Sequence, residues 1–132
     1  MNIKGESGWL VKDGSIITLG PKGSFSDQAA KYLAGLFGIT RIDYTSPNPE
    51  IVKVSLENPN MYLGVVPFET TGGGLVPEVI DMLVRNLEKS PKICAEYIMP
   101  IIQCLAYRGD MPDIKRIITH QQSVLQCRGY LD

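Results

Sequence analysis

The chain has 132 residues, with 13 basic and 14 acidic side chains and a formal net charge of −1. That length predicts one domain able to bury a real core, and 44% hydrophobic with 20% charged residues excludes a disordered chain. No basic field exists to hold nucleic acid, and the longest apolar stretch, residues 98–107, is broken by Pro100 and Gln103 and reaches about half a membrane span, so no membrane partner is expected.

Residues 1–15 are polar and glycine-rich and read as an N-terminal tail. Residues 16–19 predict a short buried strand, ended by Gly20-Pro21-Lys22-Gly23. A helix follows, with Ser24 at its cap, Asp27 three residues on, and Phe25, Ala29, Leu33, Leu36 and Phe37 on one face. Gly38 sits where a helix of this kind is closed. Residues 41–44 read as a second strand, Ser46-Pro47-Asn48-Pro49 as a turn, and Ile51, Val52 and Leu56 as the apolar positions of a second helix. Residues 62–67 form a continuous apolar run, the pattern of a strand covered on both faces. The order β-α-β-α-β predicts a parallel α/β layer.

Glu69-Thr70-Thr71-Gly72-Gly73-Gly74 reads as a polar loop at the end of that strand. The next helix would bury Val76, Val79, Ile80, Leu83 and Leu87, with Pro77 in its first turn. Residues 92–97 and 101–107 predict strands bent at Pro100, and Arg108-Gly109-Asp110-Met111-Pro112 a loop. Ile114, Ile117 and Ile118 lead into Thr119-His120-Gln121-Gln122, which opens a last helix carrying Val124, Cys127 and Leu131.

Three loop-to-helix junctions, at residues 20–26, 69–76 and 119–122, place hydroxyls, amides and unpaired N–H groups where negative charge is favoured. If the first two follow parallel strands, they lie at the carboxyl edge of one sheet, where open α/β folds bind ligands. The competing reading makes Ser24, Thr71 and Thr119 ordinary helix caps. Thr119 and Gln122 also have the spacing of a capping box, and Glu69 can bond the N–H groups of its glycine-rich loop. Gly20-Pro21-Lys22-Gly23-Ser24 is not a nucleotide loop, since its lysine precedes the glycine. Lys22 reads either as a carboxylate partner or as a surface charge. Cys94, Cys104 and Cys127 show no paired spacing and His120 is the single histidine. The expectation is a reduced, cytoplasmic protein with no metal site.

Several blocks together resemble a known family. Gly20-Pro21-Lys22-Gly23-Ser24-Phe25-Ser26 with Ala29-Ala30 comes first, then Gly64-Val65-Val66-Pro67-Phe68-Glu69-Thr70-Thr71 with Gly74. Asp81-Met82-Leu83, Glu96 with Pro100-Ile101, and Thr119-His120-Gln121-Gln122 with Gln126-Cys127 complete the series. Their order and spacing, over residues 16–132, resemble the prephenate dehydratases. The resemblance implies a two-lobed α/β fold like a type 2 periplasmic binding protein, with lobe 1 at about 16–75, a partial lobe 2 at about 76–132, and the active site in the cleft. It implies decarboxylating dehydration of prephenate to phenylpyruvate in L-phenylalanine biosynthesis, a carbon–oxygen lyase reaction without metal or organic cofactor, in a homodimer or larger assembly.

The resemblance further implies substrate contacts from Ser24, Glu69, Thr70, Thr71, Thr119, His120, Gln122 and Gln126. The chain departs from the family where Glu-Asn-Ser becomes Glu69-Thr70-Thr71 and where Ser-His-Pro-Gln becomes Thr119-His120-Gln121-Gln122. The family's Thr-Arg-Phe segment, with its acid threonine and a cation, does not occur before Asp132. No catalytic residue is therefore assigned, and the second lobe is expected to be truncated. The alternative function is a non-catalytic module on the same fold that binds a small carboxylate.

Overall fold

The computed structural model describes residues 13–132. The tail expected over residues 1–15 lies outside the described residues as far as residue 12, and Ser15 already belongs to the first strand. That strand, β1 (Ser15–Leu19), is the centre of the molecule's main sheet. It pairs in parallel with β2 (Arg41–Thr45) on one side and β3 (Tyr62–Val65) on the other, giving the order β2-β1-β3. Ile16, Ile17 and Thr18 are all buried. A strand hidden on both faces must be apolar at consecutive positions, which is the Ile-Ile pattern read from the sequence.

Alternation of side chains along β1 assigns a helix to each face. Ile16 packs with Ala30, Leu33 and Ala34 of α1 (Phe25–Phe37) and with Ile39, and Ile42, Leu63 and Val65 close over the same cluster. Ile17 points to the other face, where α2 (Asn48–Glu57) buries Ile51 and Val52. Gly64 is in register with Ile17 and shares that face. A Cβ placed on Gly64 would lie 2.5 Å from Ser55 Oγ and 3.3 Å from Ile51 Cγ2, so only glycine lets α2 approach β3 this closely.

Helix α1 begins and ends as its sequence predicts. Ser24 caps it, its Oγ accepting the Asp27 N–H at 3.2 Å. Gly38 closes it at φ 67°, its N–H bonded to the Ala34 carbonyl. After β3 the chain makes a small antiparallel hairpin, β4 (Glu69–Thr70) with β5 (Gly74–Leu75). Helix α3 (Pro77–Arg85) then buries Val79, packing against α2, and Asn48 Nδ2 donates to Glu78 Oε1 at 3.2 Å across that contact.

Several expectations are corrected. The apolar run at 62–67 forms an edge strand, half-buried and ending at Val65, because β1 occupies the sheet's centre. The glycine-rich stretch is a hairpin rather than a loop; Gly74 at φ 71° supplies the positive dihedral its return needs. Val76 precedes the first turn of α3, and Leu87 lies beyond the helix in a 3-10 turn, 65% exposed. Residues 92–97 and 101–107 form no strand. Apolar, β-branched sequence is insufficient there, since a strand needs a neighbouring edge and none among the described residues pairs with them.

A division between Met99 and Pro100 separates a second unit, residues 100–132. The expected last helix is two short pieces, α4 (Gln121–Gln126) and α5 (Arg128–Leu131), broken at Cys127. Cys127 is half-buried, and Ile118 is 89% exposed.

Replacing Gly64 by Val should lower stability by about 1–3 kcal/mol through overpacking against α2. Urea unfolding checks this: an unchanged midpoint would mean that α2 does not press on β3.

Candidate functional site

The strand order locates the candidate site. From β1 the chain crosses through α1 to β2 on one side, then returns through α2, past β1, to β3 on the other. The connections leaving β1 and β3 therefore diverge from neighbouring strand ends. In open α/β sheets such a switch point leaves a crevice at the carboxyl edge, the usual place for a ligand. The Thr18 hydroxyl donates to the Val65 carbonyl at 2.9 Å and ties the two strand ends together. The segment with Ser24 leaves from one of them, and the hairpin with Glu69, Thr70 and Thr71 from the other. Topology thus assigns four of the eight expected substrate contacts to one sheet edge.

The β1–α1 junction is built around a residue the sequence reading used only as a helix-start signal. Asp27 is fully buried. One carboxylate oxygen accepts the Gly23 N–H at 2.7 Å and the Lys31 ammonium at 2.7 Å; the other accepts the Tyr44 hydroxyl at 2.7 Å. The Lys31 and Tyr44 bonds, then the Gly23 bond, lower its pKa from 3.8 to about 2, against the opposing effect of burial. The same carboxylate pushes the Tyr44 phenol up from its ordinary value. Asp27 sits in the first turn of α1, so the positive end of that helix already has its counter-charge. The expected attraction of this junction for anions is accordingly reduced, while Ser24 Oγ, accepting from Asp27 N–H, keeps its own proton to donate.

In the hairpin, Thr70 Oγ1 accepts the Gly73 N–H at 3.1 Å, the role foreseen for Glu69. Thr70 is half-buried, whereas Glu69 and Thr71 are exposed. Thr71 caps no helix, since α3 starts from Val76 without a side-chain cap.

In the second unit the helix starts one residue later than a Thr119–Gln122 capping box requires. His120 is the cap: its Nδ1 accepts the Gln122 N–H at 3.2 Å, which leaves the ring proton on Nε2. Thr119 is exposed outside the helix and Gln122 is half-buried in it. The exposed Gln126 accepts from Gln103 Nε2 through its Oε1 at 2.9 Å.

A further polar group at the carboxyl edge had no signal in the sequence. Asn48, in the first turn of α2, is buried, and its Oδ1 has no hydrogen-bond partner among the described residues. Such an acceptor suits a hydroxyl or amine donor. Among the described residues no cluster of three or more His, Cys, Asp or Glu is arranged to hold a metal, and no helix is long and apolar enough to cross a membrane.

The sequence model of one protein family, described as prephenate dehydratase, matches residues 16–132. The chain belongs to the prephenate dehydratase family. It is 31% identical over 124 residues to a bifunctional chorismate mutase/prephenate dehydratase of Aquifex aeolicus, covering 93% of this chain and 33% of that protein. It is 36% identical over 112 residues to a prephenate dehydratase of Methanocaldococcus jannaschii, covering 84% of this chain and 39% of that protein. A bifunctional chorismate mutase/prephenate dehydratase of Escherichia coli K12 is 30% identical over 119 residues, 89% of this chain and 30% of that protein. The chain thus spans about a third of the length of these curated relatives. No solved structure matches it significantly.

In this member of the prephenate dehydratase family the Asp27 network has a defined acid limit. Its folded-state pKa of about 2 lies below the ordinary 3.8. Its stabilising contribution is therefore complete above the ordinary value and is lost as pH falls through about 2. The Asp27 carboxyl resonance should titrate with a midpoint near 2. A midpoint at the ordinary value would show that the three donors do not converge on it.

Proposed function

We propose that this chain supplies the substrate crevice of a prephenate dehydratase, an enzyme that converts prephenate to phenylpyruvate, carbon dioxide and water on the route to phenylalanine. The observation that carries the reading is the switch point between β1 and β3, with the Gly20–Ser26 and Glu69–Gly74 segments leaving its two sides within a chain matched by the family model. In the reaction the bond to the ring carboxylate breaks, its electron pair enters the ring, and the ring hydroxyl departs with a proton as water. Aromatisation drives the change. The protein must hold a dicarboxylate, desolvate the carboxylate that leaves, and supply the proton.

On this reading Ser24, Thr70 and Thr71, with Glu69 beside them, bind substrate from lobe 1. Thr119, His120, Gln122 and Gln126 bind it from the part of lobe 2 present here. The lobes are taken as about 16–75 and about 76–132, in the manner of a type 2 periplasmic binding protein, within a cytoplasmic homodimer or larger assembly. The hydroxyl of Ser24 and the Nε2–H of His120 are donors suited to carboxylate oxygens.

A second reading, a non-catalytic module for a small carboxylate, is favoured by Thr70. Where the family has an asparagine, this residue has no amide, and its hydroxyl oxygen accepts the Gly73 N–H of its own hairpin. One assay separates the two. The chain is incubated with prephenate, and phenylpyruvate is followed by its absorbance in alkali. Turnover is expected for the enzyme, and saturable binding without product for the module; neither turnover nor binding would overturn both. Gln126→Met should weaken prephenate binding while leaving the fold intact, and an unchanged affinity would remove Gln126 from the site.

A further inference from the structure

We propose that Asp27 is a positioning residue, whose carboxylate fixes the Gly23–Ser24 segment so that the Ser24 hydroxyl meets a ligand in one orientation. The inference rests on the reading of Ser24 as a substrate contact.

The geometry restrains this segment from two sides. Gly23, at φ 91°, has its N–H on Asp27 Oδ2 at 2.7 Å. Ser24 has its N–H on the Pro21 carbonyl at 3.2 Å and its Oγ on the Asp27 N–H at 3.2 Å. Asp27 thus meets the segment through both its carboxylate and its own backbone. The carboxylate is in turn anchored outside the loop by the Tyr44 hydroxyl on β2 and the Lys31 ammonium one helical turn on. The loop is therefore referenced to the sheet, and the strand that carries Tyr44 is hydrogen-bonded to β1 itself. A surface cap would need only the Ser24–Asp27 backbone bond. Burying an ionised carboxylate costs free energy, and three charge-assisted bonds at 2.7 Å are a larger investment than capping requires. Their shared effect is to remove rotational freedom from Ser24, which is what a site preorganised for a small acid needs.

The test uses the 132-residue chain with Ser24→Ala, Asp27→Asn and the double variant. Backbone amide exchange reports the loop, and calorimetric titration with prephenate reports binding. In Asp27→Asn the Gly23 amide should exchange about tenfold faster or more, the loss expected for a hydrogen bond to a charged group, while Ile17 in the core strand stays protected. Prephenate affinity should fall about tenfold, and the double variant should bind no more weakly than Ser24→Ala alone. That non-additivity marks action through Ser24, which a merely structural role would not produce. Unchanged Gly23 exchange, or losses that add, overturns the proposal. If Asp27→Asn unfolds, shown by lost protection at Ile17, Tyr44→Phe takes its place. Faster Gly23 exchange then supports the proposal and unchanged exchange overturns it. Failure of the unsubstituted chain to bind prephenate instead overturns the substrate reading, and the exchange experiment still decides whether Asp27 holds the loop.

Discussion

Burial of β1 on both of its faces is the constraint from which the rest of the first unit follows. Ile16 and Ile17 point in opposite directions, and each needs a helix to exclude water. One helix cannot cover both faces, so α1 and α2 divide the work. Because each crossover must reach a strand on a different side of β1, the sheet acquires its β2-β1-β3 order. The switch point between the ends of β1 and β3 is a by-product of that packing. A hydrophobic requirement thus determines where polar chemistry can be placed.

The polar groups at that edge are satisfied unevenly, and the unevenness separates scaffold from site. Asp27 is bonded to Gly23, Lys31 and Tyr44, and it neutralises the end of α1. Thr18 spends its donor on the Val65 carbonyl, whereas Thr70 accepts the Gly73 N–H. Ser24 and Thr70 therefore each retain a proton to donate, and Asn48 has an unmatched acceptor among the described residues. A ligand at this edge would find directed hydrogen-bonding groups more than bare positive field.

The second unit obeys different physics. Its helices have six and four residues, too short to be stable by propensity alone. Among the described residues no strand pairs with 101–107, so their apolar character finds no sheet to enter there. His120 still acquires a defined role as the cap of α4, because capping is a local bond that needs no distant partner.

Local signals were legible in the sequence. The consecutive isoleucines marked a short buried strand, Ser24 and Gly38 marked the two ends of α1, and the β-α-β-α-β order gave the parallel layer, because each depends on neighbouring residues and on periodicity. The ordered blocks, from the Gly20 turn to the Gln126 helix, sufficed for the family. Tertiary structure alone decided that residues 62–65 lie at an edge, since strand order is not written in any one strand. It also decided that Gly64 admits α2, and that residues 92–107 remain without a ladder. The role of Asp27 was hidden for the same reason. Its partner Tyr44 lies 17 residues away on another strand, and a contact across that separation exists only once β2 has docked beside β1.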